Sequence, residues 1–271
     1  MKSFHSRLLL AAAASLAALA LAAPIAQAAT PAPGYTQFAG CPSTSEVPSV
    51  VACVRSVVKG GHFQMGSKNV PISKPMTLTG GTDASLEEFF ANSEGGLTPV
   101  KQLVPGGIIG LTGLDWLVNF LSIESLQLFA VTELVGKPSI GATISLPIRV
   151  HLINPALGKN CYVGSPSSPI LLDMTPGTTS PPPPNEPISG MEPVFGYEPA
   201  AEIATYSNGT FVDNSFAAPG ANGCVLTLFG FIPISINGLI NSQSGLPASA
   251  GTNETVQNID IEIAPVNRVY P

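Results

Sequence analysis

The chain has 271 residues, with 11 Lys or Arg against 17 Asp or Glu for a formal charge of −6, and only 10% of positions are charged. This acidic, charge-poor balance excludes binding driven by nucleic-acid phosphates or by an anionic membrane surface, since both reward clustered Lys and Arg. With 27 Gly and 27 Pro, and hydroxyl and amide residues filling the polar positions, the composition suits a loop-rich β protein of the extracellular space.

The first element is a leader. Lys2 and Arg7 charge the front, an apolar stretch runs from Leu8 to Ala23, and Ala26-Gln27-Ala28 offers the small-x-small pattern cut before Ala29. The apolar stretch is too short and Ala-rich to hold in a bilayer about 30 Å thick, so residues 1–28 are predicted to be a signal peptide with no membrane span after cleavage. No Cys follows the cut to take a lipid. The exported chain, 29–271, then has 243 residues, and loss of Lys2 and Arg7 takes its charge to −8.

Cys41, Cys53, Cys161 and Cys224 all lie in that portion. An even number in an oxidising compartment predicts two disulfides. Of three connectivities, Cys41–Cys53 closes a short local loop and leaves Cys161–Cys224 to tie distant strands. No CxxC is present and His62 and His151 are far from any Cys, so no metal and no cofactor are expected.

Further along, a turn or two of helix is expected over 50–58, after Pro48. Val70, Ile72, Met76 and Leu78 alternate with Pro71, Ser73, Pro75 and Thr77, the period of a half-buried strand. Thr82-Asp83-Ala84-Ser85 ahead of Leu86-Glu87-Glu88-Phe89-Phe90 sets Ser85 and Glu88 at capping-box spacing and predicts one short helix. Residues 103–121 are apolar and punctuated by Gly106, Gly107, Gly110 and Gly113, with Asp115 the sole charge. Ile108, Ile109, Leu114, Trp116 and Phe120 in this segment are either ordinary core or a flap offering hydrophobic contact to a lipid-like ligand or a partner.

Leu126, Leu128, Ala130 and Leu134 alternate with Gln127 and Glu133. The clearest pattern follows: Ile140, Ala142, Ile144, Leu146, Ile148, Val150 and Leu152 take every second place, which predicts a long strand with Thr143, Arg149 and His151 facing water. Pro147 cannot donate to a ladder, so that strand should lie at an edge or carry a bulge there. Ile170, Leu172 and Met174, and later Ile259, Ile261 and Ile263, repeat the period. The Pro-rich stretch near 176–188, with Pro181 to Pro184 in extended geometry, is either a domain boundary or a crossover; a Cys161–Cys224 bridge across it favours the crossover. Asn208-Gly209 between Ser207 and Thr210 predicts a two-residue hairpin turn. Val225 to Ile236, apolar on both faces, predicts a central strand that Cys224 begins with its sulfur pointing inward. Strand runs with one or two short helices make the expected fold mainly β, an antiparallel sandwich-like single domain.

Asn160-Cys161-Tyr162-Val163-Gly164-Ser165, with Thr178-Thr179-Ser180-Pro181-Pro182-Pro183-Pro184-Asn185, is similar to segments of uncharacterised secreted proteins from high-GC Gram-positive bacteria. The resemblance covers about a sixth of the chain. It implies export and brings no activity.

No Gly-x-Ser-x-Gly elbow accompanies either His, and Gly66-Ser67-Lys68 and Gly136-Lys137-Pro138 lack a phosphate-loop frame, so both are turns and no catalytic residue is assigned. Asp260 and Glu262 share a strand face without the ligand spacing calcium requires. Asn208 and Asn253 head glycosylation-type sequons that mark exposed loops. The expected role is a binding or structural protein of the cell envelope or extracellular space; a carrier of a hydrophobic ligand and an extracellular hydrolase are the alternatives.

Overall fold

A computed structural model of the chain describes residues 29–86, 88–113, 126–228 and 231–271. The predicted leader lies outside them. In chain order the strands are β1 (Ala52–Met65), β2 (Lys68–Pro71), β3 (Met76–Thr82), β4 (Phe89–Phe90), β5 (Gly96–Leu97), β6 (Gln102–Leu103), β7 (Phe129–Leu134), β8 (Ser139–Ile140) and β9 (Ile144–Ile153). After them come β10 (Tyr162–Val163), β11 (Ile170–Met174), β12 (Val194–Glu198), β13 (Ile203–Asp213), β14 (Ala221–Asn222), β15 (Val225–Leu228), β16 (Ile232–Ser235) and β17 (Glu254–Pro265). Among the described residues three short helices accompany them: α1 (Gly107–Thr112), α2 (Asn237–Ser244) and α3 (Val266–Val269).

The strands form two antiparallel sheets and a separate hairpin. The first sheet runs β12-β13-β17-β1-β3-β4, with β2 on β1 and β5 on β3; the second runs β14-β10-β9-β7-β6, with β11 and β8 also on β9. The inner faces share one hydrophobic cluster, to which the first sheet gives Val54, Leu78, Phe211 and Ile259 and the second gives Ile148, Val150 and Leu172. The mainly β, sandwich-like fold is therefore the expected one.

Alternation explains most of it. From Ile144 to Ile153 buried and half-buried residues alternate without exception. The run is shorter than its sequence period, because residues 141–143 form the loop of a β8–β9 hairpin and leave Ala142 exposed. Nor is β9 at an edge: β7 and β8 lie on one flank, β10 and β11 on the other. Pro147 is tolerated because its partner strand is interrupted there. The Pro147 carbonyl accepts from the Val135 amide, and 135–138 bridge the gap between β7 and β8.

Asn208-Gly209 is not a hairpin turn. β13 continues through it to Asp213, and the positive φ of Asn208, 58°, produces a bulge where pairing with β17 shifts between Tyr206 and Gly209. A second shift on the other flank of β17, between Val58 and Gly60, leaves Lys59 unpaired in the ladder. The two irregularities meet in one polar knot: Lys59 Nζ lies 2.8 Å from Asp260 Oδ2 and donates to Asn208 Oδ1 at 3.2 Å, while the Asn208 amide donates to Asp260 Oδ1 at 2.7 Å.

Three other expectations are corrected. Residues 52–58 belong to β1, where Val54, Ser56 and Val58 face inward at a period of two. Residues 84–86 form a turn instead of starting a helix: the Glu88 amide donates to Asp83 Oδ1 at 3.1 Å, and Phe89 and Phe90 return as β4 against Thr82 and Gly81. Val225 to Ile236 is no central strand but the β15–β16 hairpin, folded so that Leu228 pairs with Ile232, and all four β16 residues are exposed.

Both disulfides have the expected partners, Cys41–Cys53 and Cys161–Cys224. The first joins a smaller cluster on the outer face of the first sheet, where Phe38, Val50, Ala264 and Val269 are buried. The second fastens the base of the β15–β16 hairpin to the segment before β10. The Pro-rich stretch is anchored along its length: Thr179 bonds Ile188, the Asn185 amide donates to the Gly251 carbonyl, and Asn185 Nδ2 donates to the carbonyls of Asn214 and Asn253.

Ile148 is fully buried between the sheets, so Ile148→Ala should lower stability by about 2–5 kcal/mol through lost burial and the cavity left behind. Chemical denaturation against the exposed control Thr143→Ala checks it. Replacing Cys161 and Cys224 together by Ala should cost about 2–4 kcal/mol, and peptide mapping without reductant should join the two cysteines in the native chain.

Candidate functional site

Each histidine is held by a carboxylate of a neighbouring strand. His62 Nε2 lies 3.0 Å from Glu254 Oε1, across the β1–β17 ladder. His151 is on the outer face of β9, as parity requires, but it is packed there instead of solvated. Its ring stacks on Tyr162 at 4.4 Å, Nδ1 lies 3.3 Å from Glu133 Oε1, and Nε2 meets the Lys159 carbonyl at 3.1 Å. Arg149 completes the group, pairing with Glu133 Oε2 at 2.7 Å and lying 4.1 Å from the Tyr162 ring centre. Both nitrogens of His151 are thus occupied and neither faces a hydroxyl nucleophile, so the cluster is a cross-strand brace.

Carboxylates give no metal centre among the described residues. Asp260 pairs with Lys59 and Glu262 with Arg55, so the two acids that share a face on β17 are each neutralised by a neighbouring strand. A polar cleft of about 400 Å³ lies beside β11 and the Pro-rich loop, lined by Asp173, Asp213, Thr143, Thr175 and Thr178. Asp213 is its most constrained member. Burial pushes its carboxyl above the usual carboxylate range and the nearby Asp173 adds to the rise, against two main-chain amides that stabilise the charged form. Those amides, from Asp173 and Ser215, each donate at 2.8 Å to a different oxygen, so Asp213 ties β11 to β13.

The apolar segment around α1 is described only in part. Ile108 is buried in the shared core and Ile109 packs half-buried against it; Leu114, Trp116 and Phe120 lie outside the described residues. Two apolar cavities lie between the sheets, one of about 60 Å³ bounded by Val58, Phe63, Ile148 and Leu172, the other of about 40 Å³ beside Val70, Leu111 and Ser244.

The larger apolar space is at the open end of the sandwich. Cross-strand register carries the core face of the first sheet outward in rows: Ser56, Ile261, Tyr206 and Phe195 in one, Val54, Ile263, Ala204 and Tyr197 in the next. Val54 is 1% exposed, whereas Phe195 and Tyr197 are 61% and 55% exposed. The second sheet stops short of this end, its last cover being the β8–β9 hairpin. What remains is an open groove of about 320 Å³ lined by Ile140, Pro193, Tyr206, Phe211, Ile261 and Ile263, with Glu192 at its border. Phe195 leans on Tyr206 at 5.3 Å between ring centres and extends the groove along β12. No protein-family model matches the chain, and no curated protein or solved structure is significantly similar to it.

The groove can take an apolar side chain or a small apolar ligand, and the strand beside it can offer main-chain hydrogen bonds. Sequence reading passed over Val194-Phe195-Gly196-Tyr197-Glu198. The available signal was an apolar run of strand length bracketed by Pro193 and Pro199, the punctuation of an edge strand. The β15–β16 hairpin is a second exposed apolar feature, with Phe231 at 74%.

A carboxyl raised by burial adds most to stability below the ordinary carboxylate range and loses that contribution as pH rises through its folded value. Asp213→Asn should therefore be more destabilising at pH 3.5 than at pH 7, as read from urea denaturation of both proteins at the two pH values.

Proposed function

We propose that this chain is an exported, disulfide-bonded binding protein of the cell envelope or extracellular space that recognises its partner through the open groove and β12. The carrying observation is that the core face of the first sheet emerges uncovered at Phe195 and Tyr197. Contiguous exposed apolar surface of this kind on a folded chain marks a contact site. Export is supported by the leader pattern of residues 1–28 and by two disulfides. Among the described residues no helix is long and apolar enough to cross a membrane.

A carrier of small hydrophobic ligands is the second reading, favoured by the groove's volume of about 320 Å³ and its largely apolar lining. Its open side along β12 favours a partner that is itself extended.

Protein recovered from the culture medium should begin at Ala29. It should bind the isolated envelope of the producing cell saturably, and Phe195→Ser/Tyr197→Ser should weaken that binding at least tenfold with the melting temperature unchanged. Equal binding by the double variant would overturn the reading. Saturable displacement of a dansylated fatty acid from the groove, lost in Phe211→Trp, would move it to the carrier.

A further inference from the structure

We infer that β12 accepts an extended polypeptide as an added strand, with one apolar side chain of that peptide in the groove and Lys or Arg flanks facing Glu192 and Glu198. This rests on the recognition reading above and names the class of partner.

The first observation concerns sheet edges. An edge strand exposes a row of unpaired N–H and C=O groups, and native sheets blunt such edges by shortness, charge, Pro or bulges. The strands that end the two sheets at β4, β6 and β14 are two residues long each. β12 has five residues, pairs with β13 without a register shift, and contains no Lys, Arg or Pro within Val194–Glu198. Its one charge, Glu198, sits at its end, and Pro193 and Pro199 flank the strand without interrupting it. Alternate residues of an antiparallel strand direct both main-chain groups to the same side, so its outer side keeps donors and acceptors at strand spacing. Strand addition uses such groups for affinity and neighbouring pockets for side-chain selection. Here the pocket is the groove that Tyr206 and Ile261 line, on the face that carries Phe195.

The second observation is charge. On β13 and β17 every acid is engaged: Glu254 with His62, Asp260 with Lys59, Glu262 with Arg55, and Asp213 with two main-chain amides. Glu192 and Glu198, at the two ends of the exposed strand, are exposed and, among the described residues, make no ion pair or side-chain hydrogen bond. Six residues apart in extended chain, they lie roughly 20 Å from each other, the reach of a seven-residue strand with a cation at each end.

The same charges disfavour a second copy of this chain. Antiparallel self-pairing centred on Gly196 would set Phe195 opposite Tyr197 of the copy, but it would also place Glu198 diagonal to the copy's Glu192, roughly 7–8 Å away. Two such like-charge contacts arise per dimer. They equally oppose an anionic membrane.

The test uses the purified exported protein and four fluorescein-labelled heptapeptides, Lys-Val-Thr-X-Thr-Val-Lys with X as Leu, Phe, Tyr or Trp, read by fluorescence anisotropy. At least one should bind saturably. Replacing both Lys by Glu, N-methylating alternate peptide nitrogens, or using Glu192→Lys/Glu198→Lys protein should each weaken binding at least tenfold, and the charge-reversed protein should instead prefer the Glu-ended peptide. Hydrogen exchange should slow at 194–198 on binding. Absence of saturable binding to all four, or undiminished binding of N-methylated peptides, would overturn strand addition. If envelope binding still depends on Phe195 and Tyr197 in that event, the recognition reading survives and only the partner class falls. Concentration-dependent dimerisation abolished by Phe195→Lys would assign the edge to a second copy instead.

Discussion

Most of the structure depends on one ladder, the pairing of β17 with β1 on one side and β13 on the other. β17 supplies Ile259 and Ile261 to the shared core and Ala264 to the smaller cluster on the opposite face, so one strand serves two hydrophobic clusters. A slip of one residue would exchange its faces and bury Asp260 and Glu262 in place of the isoleucines. The register is held by the paired bulges at Lys59 and Asn208, where the Lys59 side chain and the Asn208 main-chain amide converge on Asp260. Burial works against the Asp260 carboxylate, but its bonds from Lys59 and from the Asn208 amide outweigh it and hold its carboxyl below the usual range. An ionised group at the surface therefore marks which residue of β17 sits between the bulges.

Strands that bury one face were legible because their period is written into side-chain type. Ile144 to Leu152, Ile170 to Met174 and Ile259 to Ile261 needed nothing beyond alternation, and the two disulfides needed only parity and loop length. The errors share a different cause. Asn208 was rightly seen as tolerant of positive φ, but the same backbone state serves a turn or a bulge, and only the pairing of β13 with β17 decides between them. At Val225 to Ile236 apolar content suggested cover on both faces, whereas β15 and β16 pair antiparallel, Leu228 with Ile232, and β16 is open to solvent. At Thr82 to Phe90 the capping pattern was real as local chemistry: Asp83 accepts a main-chain hydrogen bond, yet it closes a turn between two strands.

The groove was not legible for a topological reason. Phe195 and Tyr197 are core-type residues by composition, and nothing local distinguishes them from Val54 or Ile263 in the same rows. Their exposure follows from the strand order, which puts β12 at the end of the first sheet, and from the smaller reach of the second. The flanking Pro193 and Pro199 mark an edge strand locally, but which face of it stays uncovered is a property of the whole chain path.

The Cys161–Cys224 bridge spans 63 residues and encloses the Pro-rich stretch, all of β12 and all of β13. A protein working outside the cell meets proteases, and exposed Pro-flanked loops such as 180–187 are where they reach the backbone. One cut inside this enclosed span leaves both pieces covalently joined, with β13 still laddered to β17. The proposed contact surface is thus carried on a segment that tolerates a nick without coming apart, and a gel would betray the break only after the sulfurs are reduced.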